Sequence, residues 1–511
     1  MAEDHQCDML VVGGGINGAG IARDAAGRGL SVVLCEQDDL AGHTSSASSK
    51  LIHGGLRYLE YYEFRLVSKA LAEREVVLRA APHIVWPLRF VMPHVPTLRP
   101  AWMIRMGLLL YDHLDMGKRK LLPGSKGVDL RHHPAGAPLV SDLTKGFVYS
   151  DAWVDDARLV VLNAMDAAER GADIRTRARC VSARRDGDHW SATLCSTIDG
   201  SETSVRPRCL INASGPWVSA FLDDAVGLQR HLNIRQVKGS HIVVPKLFDH
   251  GYAYIFQNTD KRIVFAIPYE RAYTLIGTTD LDYDGDLAAV EITEGETRYL
   301  CDLVNRFFQN KITPGDVVWS YSGVRPLVDD NADDVSAITR DYVLNLDTDG
   351  APLLSVFGGK ITTFRKLAEE AVDKLTPVLG IDKPAWTALG APLPGGDIEN
   401  ADFDRFFSEF RRAHPWLPPD LAHRYARAYG TRATRLLDGA TELSDLGDDL
   451  GGGLYAAEAA YLVRSEWAVT AEDILWRRSK LGLAAPPDTA RTLTDWLSGN
   501  SSGSRREVSA R

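Results

Sequence analysis

The 511 residues carry 45% hydrophobic and 25% charged side chains, the balance of a globular chain long enough for about two to four domains. A formal net charge of −10 argues against a nucleic-acid partner, although it is compatible with a local cationic pocket for a small anion. The six scattered cysteines form no CxxC pair, so no metal site is expected, and each is read as a small buried residue in a reducing compartment.

The opening stretch, MAEDHQCDMLVVGGG, has acids where a secretory signal needs basic residues. No run reaches the roughly 18 apolar residues of a membrane span, so any membrane contact is expected to be peripheral. Residues 7–36 then spell one βαβ unit. CDMLVV is a strand, GGGINGAG a turn, the following Ala-rich run a helix ending at Gly27 to Gly29, and LSVVLC a second strand closed by Glu36. Gly13, Gly15 and Gly18 fit GxGxxG, with Ile16 and Asn17 at the head of the helix. The first glycine permits a tight turn, the second lets a pyrophosphate approach the backbone, and the third lets helix and strand pack closely. The helix N-terminus offers N–H groups to the phosphates. Glu36 can hold an adenosine ribose and disfavours a 2′-phosphate, so NAD or FAD is expected rather than NADP.

The loop AGHTSSASSK, from Ala41 to Lys50, is read as a binder of the cofactor's phosphates and ring edge. KLIHGGLRYLEYYEFRL follows and gathers His53, Gly54, Gly55, Arg57 and Tyr58 within six residues. Residues 63–81 have helical spacing and end at Pro82, as scaffold. The next stretch is apolar, proline-punctuated and closed by Lys118, Arg119 and Lys120. Within it, Trp102 to Tyr111 is either a core helix or an interfacial helix whose basic rim touches lipid headgroups.

VDDARLVVLNAMDAAERGA is a helix opened by Asp155 or Asp156. ADIRTRARCVSARRDGDHWSATL predicts two strands joined by a DG turn. RCLINASGPWVSAF predicts a strand, a glycine turn and a helix. QVKGSHIVVP, RIVFAIPY and YTLIGTTD predict a mainly antiparallel sheet that can floor a ligand pocket. In APLLSVFGGKITTFRKLAEEAVDKL a strand is turned by Gly358 and Gly359, and Lys360 begins a helix. Three strand–glycine–helix units thus share a geometry that places ligands at the carboxyl ends of strands. From about Gly390 to Trp496 the chain is polar and helical, and SGNSSGSRREVSAR reads as a disordered tail.

GGGINGAGIARDAAGRGLSVVLCE, TSSASSKLIHGGLRYLE, YSDAWVDDARLV, NASGPW, KGSHIVVP, GTTD, YSGVRPL and LLSVFGGKITTFRKLAE together resemble the FAD-dependent glycerol-3-phosphate dehydrogenases of aerobic respiration, from near the start to about residue 480. The resemblance implies an α/β fold. Its parts would be an FAD-binding Rossmann-like domain of the D-amino-acid-oxidase/glutathione-reductase type, an antiparallel-sheet substrate cap and a helical C-terminal domain. The expected division is FAD-binding domain at 1–80, 151–225 and 336–385, a cap or membrane-facing segment at 81–150, substrate cap sheet at 226–335, helical domain at 386–497 and tail at 498–511. It further implies non-covalent FAD, and sn-glycerol 3-phosphate oxidised to dihydroxyacetone phosphate by hydride transfer to flavin N5. Electrons would pass to a membrane quinone from a peripheral site on the cytoplasmic face of the cell membrane; a homodimer is compatible with this. The alternative is a glycerol-3-phosphate oxidase using dioxygen. More distant rivals are a silent FAD-binding sensor and an NAD-linked dehydrogenase.

On that footing the cofactor is expected to contact Gly13, Gly15, Ile16, Asn17, Gly18, Glu36, Thr44, Ser45, Ser46, Ser49, Lys50, Leu51, His53, Gly54 and Gly55. Further along, it would meet Cys180, Ala213, Gly215, Trp217, Gly358, Gly359, Lys360, Ile361 and Thr362. Gly54 and Gly55 would let the backbone run beside the flavin ring, and His53 would accept the alcohol proton or stabilise developing charge. Arg57 would fork onto phosphate and Tyr58 would add a hydroxyl donor. Arg325, on a proline-stiffened turn, would clamp the phosphate. Lys360 would stabilise reduced flavin or the ionising alcohol. His241 is a further candidate base or substrate contact, and Arg340 a further substrate contact. The base stays open among His53, His241 and Lys360.

Overall fold

The computed structural model describes residues 5–114, 121–229, 232–258, 262–328, 341–388 and 390–504. Two sheets and a helical unit make up this structure. The first sheet runs Val343–Asp347, Leu353–Phe357, Glu202–Asn212, His5–Val12, Val32–Cys35, Asp173–Arg175. Its four inner pairings between Leu353–Phe357 and Asp173–Arg175 are parallel. Val32–Cys35 and Leu353–Phe357 are buried along their whole length, which is why they read as continuous apolar runs. The helices Ile16–Gly27, Asp156–Glu169 and Phe364–Leu379 pack together with this sheet in one core. Asp155 caps the second of them by accepting from Arg158 N–H.

The second sheet is longer and almost wholly antiparallel. Ile234–Pro245 lies between Trp319–Val328 and Tyr273–Gly277, and the sheet continues through Ile263–Tyr269 and Ala253–Gln257 to Val85–Pro93 and Lys145–Val154. Only the pairing of Ala253–Gln257 with Val85–Pro93 is parallel among these. The strand Leu51–Ile52, just before His53, pairs with Lys145–Val154. The last unit packs Phe403–Ala413, Pro419–Tyr429, Ala456–Glu466 and Thr489–Ser504 around their own core.

Several sequence expectations need correction. The segment read as two strands holds three, Asp173–Arg175, Ala178–Asp186 and His189–Ser196, with Asp186 and Gly187 at the expected hairpin turn. The helix Thr489–Ser504 continues into the stretch read as a disordered tail; residues 505–511 lie outside the described residues. Of the six cysteines, Cys195 is only half-buried. Trp102 to Tyr111 lies in the helix Ala101–His113 and is neither wholly core nor wholly exposed. Leu108 and Tyr111 are buried, while Trp102, Met103, Met106, Leu109 and Leu110 stand open. Lys118, Arg119, Lys120 and Arg340 lie outside the described residues. Among the described residues no helix is long and apolar enough to cross a membrane.

Candidate active site

A cavity of about 670 Å³ opens where the two sheets meet. One end is built by the first βαβ unit. Gly13 turns the chain at φ +112°, and a Cβ there would stand 2.5 Å from the Ala213 carbonyl oxygen; a Cβ on Gly18 would stand 1.9 Å from the Gly13 carbonyl oxygen. Gly15 lines the cavity at the head of the Ile16–Gly27 helix and has no side chain of its own to cap it. Glu36 lines it too, and both carboxylate oxygens are already held, one by Gly14 N–H at 2.6 Å and the other by Asp38 N–H at 2.9 Å. Burial pushes its pKa up against those two hydrogen bonds. Asn17 donates to the Gly358 carbonyl at 3.2 Å, but its buried Oδ1 has no partner among the described residues.

The hydroxyl loop is pinned from both sides. Ser45 Oγ accepts from Ile16 N–H at 3.0 Å, Thr44 Oγ1 donates to the Val324 carbonyl at 2.7 Å, and Tyr321 donates to the Ser48 carbonyl at 2.8 Å. Thr44, Ser45 and Ser49 line the cavity; Ser46 and Lys50 do not. Ser46 turns back to the His43 carbonyl at 3.1 Å. The buried Lys50 ammonium sits 2.8 Å from Asp156, so it holds the loop to the Asp156–Glu169 helix rather than meeting a ligand.

The same cavity gathers the candidate reacting groups. His53 and Tyr58 come from the segment after Leu51–Ile52, His241 from a central strand, Arg325 from Trp319–Val328 and Lys360 from the Gly358–Gly359 turn. His53 is positioned by its backbone N–H, which donates to Thr362 Oγ1 at 3.2 Å, and its ring meets Phe265 edge-on. The Lys360 ammonium stands 3.7 Å from the centre of the Tyr58 ring. Arg325 is paired with Asp280 at 2.8 Å and donates to the Thr279 carbonyl at 3.0 Å. Gly239 makes room for it: a Cβ there would lie 2.2 Å from Arg325 Nη2.

His241 differs from His53. It is buried, its Nε2 is 2.9 Å from Ser49 Oγ, its ring stacks on Tyr321 at 4.8 Å, and its Nδ1 has no partner among the described residues. Burial, with Lys50 and Arg325 nearby, holds it well below the usual imidazole range, so it stays neutral and accepts protons poorly.

Leu51, Cys180, Ala213, Gly215, Trp217, Gly358, Gly359, Ile361 and Thr362 complete the predicted lining. Besides Ser46 and Lys50, four predicted contacts fall outside the lining: Gly18, which packs on the Gly13 carbonyl, and Gly54, Gly55 and Arg57. Gly54 donates its N–H to Tyr111 Oη at 2.8 Å, and Gly55 makes the left-handed turn beneath the Tyr58 ring. Arg57 reaches Tyr61 instead, at 3.4 Å, while Arg325 and Lys360 line the cavity. Sequence reasoning missed Phe265, Thr278 and Gly239. The last two lie in the quoted GTTD and KGSH motifs, but nothing in strand periodicity separates a pocket residue from its neighbours.

A family model described as FAD dependent oxidoreductase matches residues 8–365, and one described as the C-terminal domain of alpha-glycerophosphate oxidase matches residues 387–496. The chain is 58% identical to a glycerol-3-phosphate dehydrogenase of Pseudomonas aeruginosa, over 96% of this chain and 94% of that one. It is 54% identical to a D-erythritol 1-phosphate dehydrogenase of Brucella abortus, over 97% and 99%. A solved glycerol-3-phosphate dehydrogenase from Bacillus halodurans complexed with FAD superimposes with a TM-score of 0.78 at 27% identity, covering 97% of this chain and 91% of that one.

Proposed function

Because this chain belongs to the FAD-dependent glycerol-3-phosphate dehydrogenase family, we propose that it oxidises sn-glycerol 3-phosphate to dihydroxyacetone phosphate and delivers the electrons to a membrane quinone. The observation that carries the reading is a single cavity. A dinucleotide-type turn and helix line it together with His53, His241, Arg325 and Lys360.

The residues fit FAD. The helix start with the bare Gly15 suits a pyrophosphate, Glu36 a ribose, and Asn17 Oδ1, which has no partner among the described residues, a further polar edge. When bound, the flavin supplies acceptance of hydride at N5. The chain's own groups do the rest. Arg325, already steadied by Asp280, binds the phosphate and fixes the substrate's secondary carbon. His53 takes the hydroxyl proton, because His241 is held neutral with a weakly basic ring. Lys360 stabilises negative charge as the alcohol ionises.

The test is an anaerobic absorbance spectrum before and after adding sn-glycerol 3-phosphate. Bleaching of the flavin bands is expected; bound flavin that does not bleach would overturn the substrate. The identity to the Brucella abortus dehydrogenase favours a second reading, a four-carbon polyol phosphate as substrate. Comparing kcat/KM for D-erythritol 1-phosphate in the same assay decides between them. Peroxide release without quinone-analogue turnover would instead identify an oxidase.

The enzyme works at the cytoplasmic face of the membrane, held by the open side of Ala101–His113. Trp102 is 67% and Met106 57% exposed there. Trp102→Glu with Met106→Glu is expected to release the protein from anionic liposomes in a flotation assay, and undiminished flotation would exclude this face.

A further inference from the structure

We propose that a second cavity, next to the first, binds the flat carbonyl-bearing ring of an electron acceptor, the chemistry of a quinone headgroup. Its volume is about 450 Å³, within the usual range of small-molecule sites. It lies between the Trp319–Val328 strand, the loop that carries Gly42 to Ala47, and the C-terminal stretch that carries Trp476 and Lys480.

Two features define its ligand. The first is aromatic walling by Trp217, Trp319, Tyr321 and Trp476, with Trp319 and Trp476 stacked at 4.5 Å. Such rings favour a planar conjugated guest. The second is Lys480, which lines the cavity at 9% exposure. Its ammonium has one hydrogen-bond acceptor among the described residues, the Trp476 carbonyl, although an ammonium carries three donors. Buried donors without acceptors are costly, so a ligand oxygen there is favoured. The cavity's other cation, Arg477, is already committed to Asp39, Glu472 and Asp473. A flat ring with a carbonyl or phenolate oxygen satisfies both features; a phosphate satisfies only the second.

The position suits an acceptor. Ala47, Trp217 and Gly323 line both cavities, and Tyr321 of the second stacks at 4.8 Å on His241 of the first. One ring therefore separates the two sites at that point. Oxidation of a secondary alcohol to a ketone releases two electrons and two protons. Reduction of a quinone to its quinol takes up the same, so the quinone closes the balance with no further reactant. The proposal rests on reading the protein as a quinone-linked dehydrogenase.

The test uses oxidised holoenzyme without substrate, titrated with tail-less 2,3-dimethoxy-5-methyl-1,4-benzoquinone and followed by tryptophan fluorescence. Saturable quenching is expected, with Kd at least tenfold weaker in Lys480→Met and in Trp319→Leu, and FAD content at the wild-type level in both. The two variants report independently should one of them fold poorly. Equal affinity in wild type and variants, or no saturable quenching, overturns the site. Glycerol 3-phosphate bleaching of the wild-type flavin is read separately. Bleaching with unchanged quinone affinity in the variants removes this cavity alone. Variant-sensitive quinone binding without bleaching removes the substrate assignment and keeps the cavity.

Discussion

The active-site cavity and the seam that joins the C-terminal helices to the cofactor loop are both rich in buried polar groups, yet they handle them in opposite ways. At the seam buried Asp, Glu and Arg side chains meet counter-charges. Asp39 takes Arg477 at 2.6 Å and Arg478 at 2.7 Å, Arg177 pairs with Asp473 at 2.9 Å, and Arg158 pairs with Glu466. Asp473 is held down at about 2; burial alone would raise it, but N–H bonds from Val469 and Thr470 and the nearby Arg177 and Arg477 outweigh that. In the cavity, by contrast, Asn17 Oδ1 and His241 Nδ1 have no partner among the described residues. A closed set of pairs fixes a structure; groups with spare capacity around an open volume can take up a ligand.

The comparison breaks most strongly at Asp39. Asp39→Ala leaves Arg477 and Arg478 without their shared carboxylate in a buried place, which costs about 3–5 kcal/mol. A markedly lower thermal midpoint is expected, with earlier loss of FAD because the loop from Ala41 onward starts beside this pair. Asp39→Leu combined with Arg478→Met replaces charges by apolar bulk and is expected to recover part of the loss. An unchanged midpoint in Asp39→Ala would mean that the seam carries no net stability.

In the cavity the same kind of deletion changes kinetics instead of folding. Arg325→Ala is expected to lower kcat/KM for glycerol 3-phosphate about 100-fold, the size of a lost charge-assisted contact, while FAD stays bound and the midpoint moves little. Arg325→Lys should recover only part, since a lysine cannot fork. Wild-type kinetics in Arg325→Ala would remove the phosphate clamp from this position.

How far the sequence reaches follows the same division. The βαβ unit was legible because its glycines answer local constraints: Gly13 needs φ +112° and Gly18 needs bare contact with the Gly13 carbonyl. The reach of Arg57 is not legible in its neighbours: between the left-handed turns at Gly55 and Tyr62 its guanidinium meets Tyr61. Nothing near Lys50 announces its partner, because Asp156 lies 106 residues away in the chain. The seam was invisible for the same reason, with Asp39 and Arg478 separated by 439 residues. Local stereochemistry is written in neighbouring residues; long-range charge pairing is not.

His83 sharpens the comparison from the seam side, with the smallest effect. It is fully buried where the C-terminal segment crosses the main core: a Cβ on Gly395 would lie 3.2 Å from its Nε2 and one on Gly430 3.0 Å from its Cγ. Neither ring nitrogen has a partner among the described residues, yet His83 lines neither cavity, so spare capacity alone does not make a site. Burial, with Arg158 and Arg427 beside it, lowers its pKa to about 3. The unfolded chain therefore binds a proton that the folded chain refuses, and stability falls as pH drops below the ordinary imidazole value of about 6.5. Between pH 7 and pH 5 this one residue is expected to remove about 2 kcal/mol. His83→Leu should abolish that share of the slope and leave substrate kinetics at pH 7 unchanged. A slope identical to wild type would mean that His83 is protonated in the fold, with a hydrogen-bond acceptor at the seam that answers its charge as Asp39 answers Arg478.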